Sequence, residues 1–75
     1  MTKAIAKTLQ VEIAEKTEYA PIGAPFIETM EGIARKHGIR HFRLLMADIE
    51  IEPSRAPAVV QRGQIIRIVP FDSAG

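Results

Sequence analysis

The chain of 75 residues contains no cysteine, so a disulfide bond, a thiolate metal site and a cysteine nucleophile are excluded. Aromatic residues are few, three phenylalanines and one tyrosine. This scarcity argues against an RNA-binding sheet, which stacks bases on aromatic side chains. No apolar run approaches the ~18 residues that span a membrane, and the first residues contain no signal-peptide h-region. We therefore expect a cytoplasmic protein with no membrane partner.

Signatures of catalysis are also missing. The sequence has no G-x-S-x-G nucleophile motif and no phosphate-binding glycine loop, so we predict a protein that is not an enzyme and binds no cofactor itself. The formal net charge of +1 gives no overall attraction to nucleic acid or to an anionic membrane. What is present is a globular composition, with 47% hydrophobic and 25% charged residues, in a length that allows one domain.

The first part of the chain predicts a β-hairpin. Residues 4–14 alternate between apolar and polar side chains, as in a half-buried strand. Alternation resumes over residues 17–20 and stops at Pro21, and Glu15-Lys16 between the two runs predicts the turn. The inward positions of the first strand are Leu9, Val11 and Ile13.

A helix is predicted from Pro25 to His37. Proline is favoured at the first helical position, and Gly38 suits the left-handed conformation that often ends a helix. Acidic residues precede basic ones along the segment, as the helix dipole favours. One signal is missing, because Ala24 at the expected N-cap offers no side-chain acceptor. The apolar stripe at helical spacing consists of Phe26, Met30, Ile33, Ala34 and His37.

The second half predicts three short strands. Ala47-Asp48 is interpreted as a tight corner, residues 52–57 as a loop with two prolines, and residues 58–60 as a small apolar anchor. Pro70 cannot continue a central strand ladder because it lacks an N–H group. The predicted strands are Phe42–Met46, Ile49–Ile51 and Ile65–Val69.

The order strand, strand, helix, strand, short strand, strand predicts an α+β domain with one main helix packed on one face of a mixed sheet. Residues 22–41 are long enough for the crossover that a parallel pair requires, so the first and last strands can pair centrally. This is the ubiquitin-like β-grasp arrangement; a ferredoxin-like fold would need a second helix, which the prolines of residues 52–62 disfavour. We assign the domain to residues 1–70 and a flexible tail to residues 71–75. The expected core contains Leu9, Val11, Ile13, Phe26, Met30, Ile33, Leu44, Ile66 and Ile68.

The C-terminal third contains a recognisable pattern. The pattern consists of Ile49–Arg55, Val59–Pro70 and a tail that ends on glycine. It resembles the small sulfur-carrier proteins of thiamin and molybdopterin synthesis and the small archaeal ubiquitin-like modifiers. Three positions depart from that family. Ala47-Asp48 stands where the family has asparagine-glycine, Gln64 stands where it has an acidic residue, and Ala74 replaces its penultimate glycine.

The resemblance implies that a partner enzyme uses ATP and magnesium to adenylate the C-terminal carboxylate of Gly75. Attack by sulfur would give a thiocarboxylate, and attack by a thiol would lead to an isopeptide bond. The implied partners are an adenylating enzyme of the ubiquitin-activating type and then a sulfur donor, a synthase subunit or lysines of target proteins. The carboxylate must enter a narrow channel, which favours a slim backbone. Gly75 meets that need, whereas Ala74 adds a methyl group.

The surface that docks the adenylating enzyme is predicted beside the last strand. Alternation places Ile65, Arg67 and Val69 on the side that faces away from the core. Phe71 follows the strand as either a plug at the core edge or an exposed docking residue. The same surface would serve a ubiquitin-like protein-binding module that does not conjugate, which is our alternative function.

Other polar groups have ordinary interpretations. His37 and His41 have the four-residue spacing of a helical metal site, but Gly38 between them is expected to end the helix. Glu50 and Glu52 alternate onto one side of a strand without a catalytic partner nearby in sequence. For the local basic cluster, a solvated surface is favoured over RNA phosphates or an acidic partner. This cluster comprises Arg35, Lys36, His37, Arg40, His41 and Arg43.

Overall fold

The computed structural model of the protein describes residues 7–70. It is an α+β domain with a mixed sheet and one α-helix, as predicted. The predicted start of the first strand at residue 4 and the predicted tail, residues 71–75, lie outside the described residues. In chain order, the elements are β1 (Thr8–Ile13), β2 (Lys16–Pro21), α1 (Phe26–Lys36), β3 (Phe42–Met46), β4 (Ile49–Ile51), a short 3₁₀ helix (Pro53–Arg55) and β5 (Ile66–Pro70).

The strands form one five-stranded sheet in the order β2-β1-β5-β3-β4. β1 and β5 are parallel, with Val11 opposite Ile66 and Ile13 opposite Ile68, so the predicted central pairing of these two strands is confirmed. Each neighbouring pair elsewhere in the sheet is antiparallel. The last strand in sequence is therefore the middle strand in space, and it joins the β1–β2 hairpin to the β3–β4 hairpin.

Both hairpins turn through two residues with positive φ angles. Ala14 (φ 51°) and Glu15 (φ 67°) connect β1 to β2, while Ala47 (φ 53°) and Asp48 (φ 68°) connect β3 to β4. Two left-handed residues are the requirement of a type I′ turn, which matches the twist of the flanking strands. The corner at Ala47-Asp48 is confirmed. The first turn was predicted one residue too late, because Lys16 already pairs with Ile13.

The helix begins at Phe26, one residue later than predicted, and Pro25 rather than Ala24 is its N-cap. No side chain caps this end. Instead, the Phe26 N–H donates to the Ala58 carbonyl oxygen at 3.0 Å, and the Val60 N–H donates to the Ala24 carbonyl oxygen at 2.9 Å. Segment 58–60 thus provides an acceptor for the Phe26 N–H, one of the N–H groups at the helix start that have no partner within the helix.

The helix ends as predicted at a left-handed glycine. Gly38 has a φ of 76°, and its N–H donates to the Arg35 carbonyl oxygen at 2.9 Å. The Ile39 N–H donates to the Ala34 carbonyl oxygen at 2.9 Å. These two bonds form a Schellman motif, which turns the chain away from α1 towards β3. The last helical residue is Lys36, and His37 is the C-cap.

The core lies between α1 and the inner face of the sheet. Every predicted core residue is buried except Leu9, which is partly buried against the same cluster. The core also contains Ala20, Ala34 and Val60. Val60 is the residue of segment 58–60 that is buried in the core. The segment that forms hydrogen bonds with the start of the helix is therefore fixed in place by core packing.

The last strand is shifted by one residue from its prediction. It begins at Ile66 and includes Pro70, which lies opposite Phe42 of β3. Pro70 is tolerated because parallel pairing with β1 stops at Ile68, so at its end β5 has a ladder on one side only. No helix within residues 7–70 combines the length and the apolar character needed to cross a membrane.

Candidate functional site

The face of the sheet opposite α1 carries one row of side chains that crosses all five strands. Neighbours in the row lie directly opposite each other in the strand register. Successive residues of a strand point to opposite faces, so this row faces away from the core, and only its leucine is half-buried. We call this surface the outer face; its row is Thr17, Glu12, Arg67, Leu45 and Glu50.

Arg67 lies at the centre of the outer face between two carboxylates. Its Nε donates to Glu12 Oε1 at 3.3 Å, and its Nη1 is 4.0 Å from Asp48 Oδ1. The Arg67 side chain remains 52% exposed. Exposed ion pairs contribute only about 0–1 kcal/mol to stability. Their effect here is to orient the guanidinium across the sheet while leaving it accessible.

Ile65 provides an apolar neighbour for Arg67. It is 69% exposed, and with Arg67, Glu12 and Leu45 it lines a cavity of about 350 Å³ on the outer face. A second cavity of about 260 Å³ shares Glu12 and Arg67 and continues to Pro70. Glu12 and Arg67 thus border both cavities, and the second cavity reaches the last residue of β5.

The structure brings together two of the predicted site residues and leaves three untested. Ile65 and Arg67 share the outer face, as predicted. Phe71, Ala74 and Gly75 lie outside the described residues. Arg67 is three residues from the end of β5, which corresponds to about 10 Å along a strand.

Several residues of this surface were missed in the sequence. Glu12 and Leu45 were placed in strands but not assigned to the site, although their alternation puts them on the correct face. Asp48 lies in the β3–β4 turn, whose Ala47 N–H donates to the Ile65 carbonyl oxygen at 2.9 Å, and no local pattern signals its approach to Arg67. Tyr19 is 56% exposed and lies opposite Gln10 in the strand register. Gln10 also lines the outer-face cavity of about 350 Å³.

The predicted basic cluster is divided by the fold. Lys36 and His37 face β2, where His37 Nε2 donates to Glu18 Oε2 at 2.6 Å and Lys36 Nζ to Glu18 Oε1 at 3.3 Å. Both hydrogen bonds lower the pKa of the Glu18 carboxyl, and the bond from His37 has the larger effect. Arg43 lies opposite Val69 in the sheet register. The favoured interpretation of the cluster as a solvated surface fits five of its members, which are exposed, but not His37, which is partly buried against Glu18.

The remaining polar pairs form no metal site within residues 7–70. His37 is bound to Glu18, and the chain turns at Gly38, so His37 and His41 do not share a helical face. In this range, no group of three or more histidine, aspartate or glutamate side chains comes together as a metal site would require. Glu50 and Glu52 are exposed, and neither forms an ion pair with another described residue.

Comparisons of the chain with known protein families, curated proteins and solved structures find no match.

Proposed function

We propose that the protein is a ubiquitin-like sulfur carrier or protein modifier with the β-grasp fold. The observation that carries this proposal is the position of β5. It is the last strand of the sequence and the middle strand of the sheet, it bears Arg67 on the outer face, and residues 71–75 follow it directly. A partner that binds the outer face would therefore contact the strand that immediately precedes residues 71–75 in sequence.

The proposed chemistry takes place at the Gly75 carboxylate. A carboxylate oxygen attacks the α-phosphorus of ATP in the partner enzyme, and magnesium pyrophosphate leaves. The resulting acyl-adenylate is attacked at its carbonyl carbon by a sulfide or by a thiolate, and AMP leaves. The products are a thiocarboxylate in the first case and a thioester, the precursor of an isopeptide bond, in the second. The protein itself supplies the acyl group and the docking surface, and the partner supplies the catalytic groups.

The outer face suits such a partner. Arg67 is held in place yet half exposed, and Ile65 beside it is largely exposed. Arginine next to apolar side chains is a frequent source of binding energy in protein interfaces. The cavity between these residues would accept an apolar side chain of the adenylating enzyme.

The test is to incubate the protein with ATP, magnesium and an adenylating enzyme of the ubiquitin-activating type and to measure its intact mass. We expect an acyl-adenylate, or the mass gain of one oxygen-to-sulfur exchange when a sulfur donor is added. Ala74→Gly should raise the yield, because glycine removes the methyl group and restores positive φ. A chain in which Gly75 is replaced by proline should remain unmodified.

A matched pair of variants tests the docking surface. I65A/R67A should weaken capture by the adenylating enzyme by at least about tenfold, since hot-spot truncations typically cost more than 1–2 kcal/mol. I49A/R62A removes the same two residue types elsewhere, with Ile49 67% exposed, and should leave capture unchanged. Equal effects of the two double variants would place the interface elsewhere.

The alternative is a ubiquitin-like module that binds proteins through the outer face without conjugation. The replacement of the family's penultimate glycine by Ala74 favours it, because that change hinders entry to a narrow channel. If no adenylate forms with the natural sequence but one forms with Ala74→Gly, the binding module is the correct function. Isopeptide-linked adducts on lysines in a cell lysate would instead identify a modifier.

A further inference from the structure

Positive charge is concentrated near the C-terminal end of α1. Residues 32–47 contain four of the ten lysine and arginine residues and none of the nine aspartate and glutamate residues. Since the formal net charge of the whole chain is +1, the rest of the protein is net acidic. Three of the four cations, Arg35, Lys36 and Arg40, lie on α1 or just after it, whereas Arg43 lies in β3, two residues before Leu45 of the outer face.

Two of these cations line a groove between the helix end and β3. Arg35 and Arg40 contribute to a cavity of about 480 Å³. Ile39 and Phe42 also line it; both are half-buried and pack against the core, so they form an apolar floor. Glu31, which is exposed, lies one helical turn before Arg35 and completes the lining.

The two guanidinium groups have no partner among the described residues. Lys36 and Arg67 form ion pairs, whereas neither Arg35 nor Arg40 forms an ion pair or a side-chain hydrogen bond within residues 7–70. The helix dipole accounts for a cation at Arg35. It does not account for Arg40, which follows the left-handed turn at Gly38 and lies outside the helix.

We propose that this groove binds an acidic segment of a protein partner, a peptide with two carboxylates and one apolar side chain between them. Each guanidinium can accept a carboxylate in a bidentate pair, and the apolar side chain covers Ile39 and Phe42. Glu31 is available to accept a backbone N–H of the peptide.

A nucleic acid fits this groove less well. Glu31 repels phosphate groups, and the half-buried Phe42 is the one aromatic residue in the groove lining, whereas single-strand sites stack successive bases on several aromatic side chains. The groove contains no residue of the outer face. The inference is therefore independent of the proposed function and of the chemistry at Gly75.

The experiment uses the full chain labelled with ¹⁵N and follows its amide resonances at low salt. The probe is a short synthetic peptide with two glutamates flanking a leucine, and its control is the same peptide with glutamines. We expect saturable shifts centred on Arg35, Ile39, Arg40 and Phe42 with the acidic peptide and none with its glutamine counterpart. The variant R35Q/R40Q should bind at least about tenfold more weakly, because two charge-assisted contacts are lost.

A matched variant controls for net charge. R55Q/R62Q removes two exposed arginines that also form no ion pair within the described residues, and it should retain close to the original affinity. The amide spectra of both variants report whether they are folded. Equal losses in the two variants, shifts centred elsewhere, or no saturable binding would each overturn the proposal. Tighter binding of a single-stranded oligonucleotide at the same amides would overturn it in favour of a nucleic-acid site.

Discussion

Glu18 connects the edge of the sheet to the end of the helix. It belongs to β2 and receives hydrogen bonds from His37 and Lys36 at the end of α1. The Glu18 side chain is only 18% exposed and that of His37 16%. A carboxylate in this position must be ionised to accept both bonds, so acid weakens the contact between α1 and β2.

This contact predicts a pH dependence of stability. The pKa of Glu18 is lowered in the folded protein from its ordinary value of 4.5. Its stabilising contribution is therefore complete above that value and is lost as the pH falls through the folded pKa. We expect E18Q to be less stable than the natural protein at about pH 7, and we expect the difference between them to be smaller at about pH 3. Urea unfolding at both pH values measures the difference.

The control for this prediction is E50Q. Glu50 is an exposed carboxylate without an ion pair among residues 7–70. Its replacement removes no side-chain hydrogen bond or ion pair between described residues and should give only a small stability difference. If E18Q and E50Q show the same pH profile, the hydrogen bonds to Glu18 do not contribute to stability in solution.

A pair of isoleucines tests the assignment of inner and outer faces. Ile33 is 8% exposed and packs in the core, whereas Ile65 is 69% exposed. Ile33→Ala should cost about 2–5 kcal/mol of unfolding free energy, and Ile65→Ala should change it by less than about 0.5 kcal/mol. Chemical denaturation of the two variants provides the comparison. An unchanged midpoint for Ile33→Ala would contradict the face assigned to α1.

At the scale of elements, both hairpins have turns whose residues do not suit their conformation. Type I′ turns favour asparagine and glycine, but these turns consist of Ala14-Glu15 and Ala47-Asp48, all with positive φ. A left-handed conformation costs a non-glycine residue roughly 1–2 kcal/mol. The strand pairing on either side of each turn offsets this cost, because the paired strands also contribute residues to the core.

Replacing one turn should therefore stabilise the protein. We expect A14N/E15G to raise the unfolding free energy by about 1 kcal/mol, because the relief of left-handed strain exceeds the entropy that glycine loses. This corresponds to roughly 4–8 °C in Tm for a domain of this size, measurable by thermal unfolding. The reciprocal control is Gly38→Ala, which places a side chain at φ 76° with nothing within 4 Å of the new methyl. It should destabilise by about 1 kcal/mol through the backbone alone.

At the scale of the whole molecule, the fold depends on its last strand. β5 lies between the two hairpins and pairs with β1 on one side and β3 on the other. It also contributes Ile66 and Ile68 to the core. Neither hairpin can bury its inner face without it, and isolated two-stranded hairpins are marginal in water.

Truncation tests this dependence. A chain that ends at Ile65 should give the poorly dispersed amide spectrum of an unfolded protein, because it lacks the middle strand. A chain that ends at Pro70 retains every described core residue and should unfold cooperatively. A loss of about 3 kcal/mol or more in the chain ending at Pro70 would identify Phe71 as a core plug; a smaller change leaves it available for docking. A folded chain ending at Ile65 would contradict the role assigned to β5.

Local patterns in the sequence were sufficient for the strands and for α1 and for the orientation of their side chains. They missed the 3₁₀ helix Pro53–Arg55, which lies in the segment predicted to be a loop. Val11 and Ile66 are buried and Arg67 is exposed because alternation is a property of each strand taken alone. The apolar stripe of α1 and the glycine that ends the helix are also local signals. Both the helical period and the C-terminal cap involve residues only a few positions apart in sequence. The sequence also suggested the parallel pairing of β1 and β5, because a crossover of sufficient length separates a hairpin from the later strands.

Contacts between distant segments were decided by the tertiary structure. Glu12 meets Arg67 across 55 positions of sequence, and that meeting requires both the strand order and the register of β1 on β5. The backbone of segment 58–60 accepts the Phe26 N–H at the start of α1. Among the clustered basic residues, Lys36 and His37 bind Glu18, whereas Arg35 and Arg40 line a groove on the two sides of the turn at Gly38. The sequence shows which residues are charged and which can cap a helix. Only the assembled sheet and helix determine which of these groups come within hydrogen-bond distance of each other.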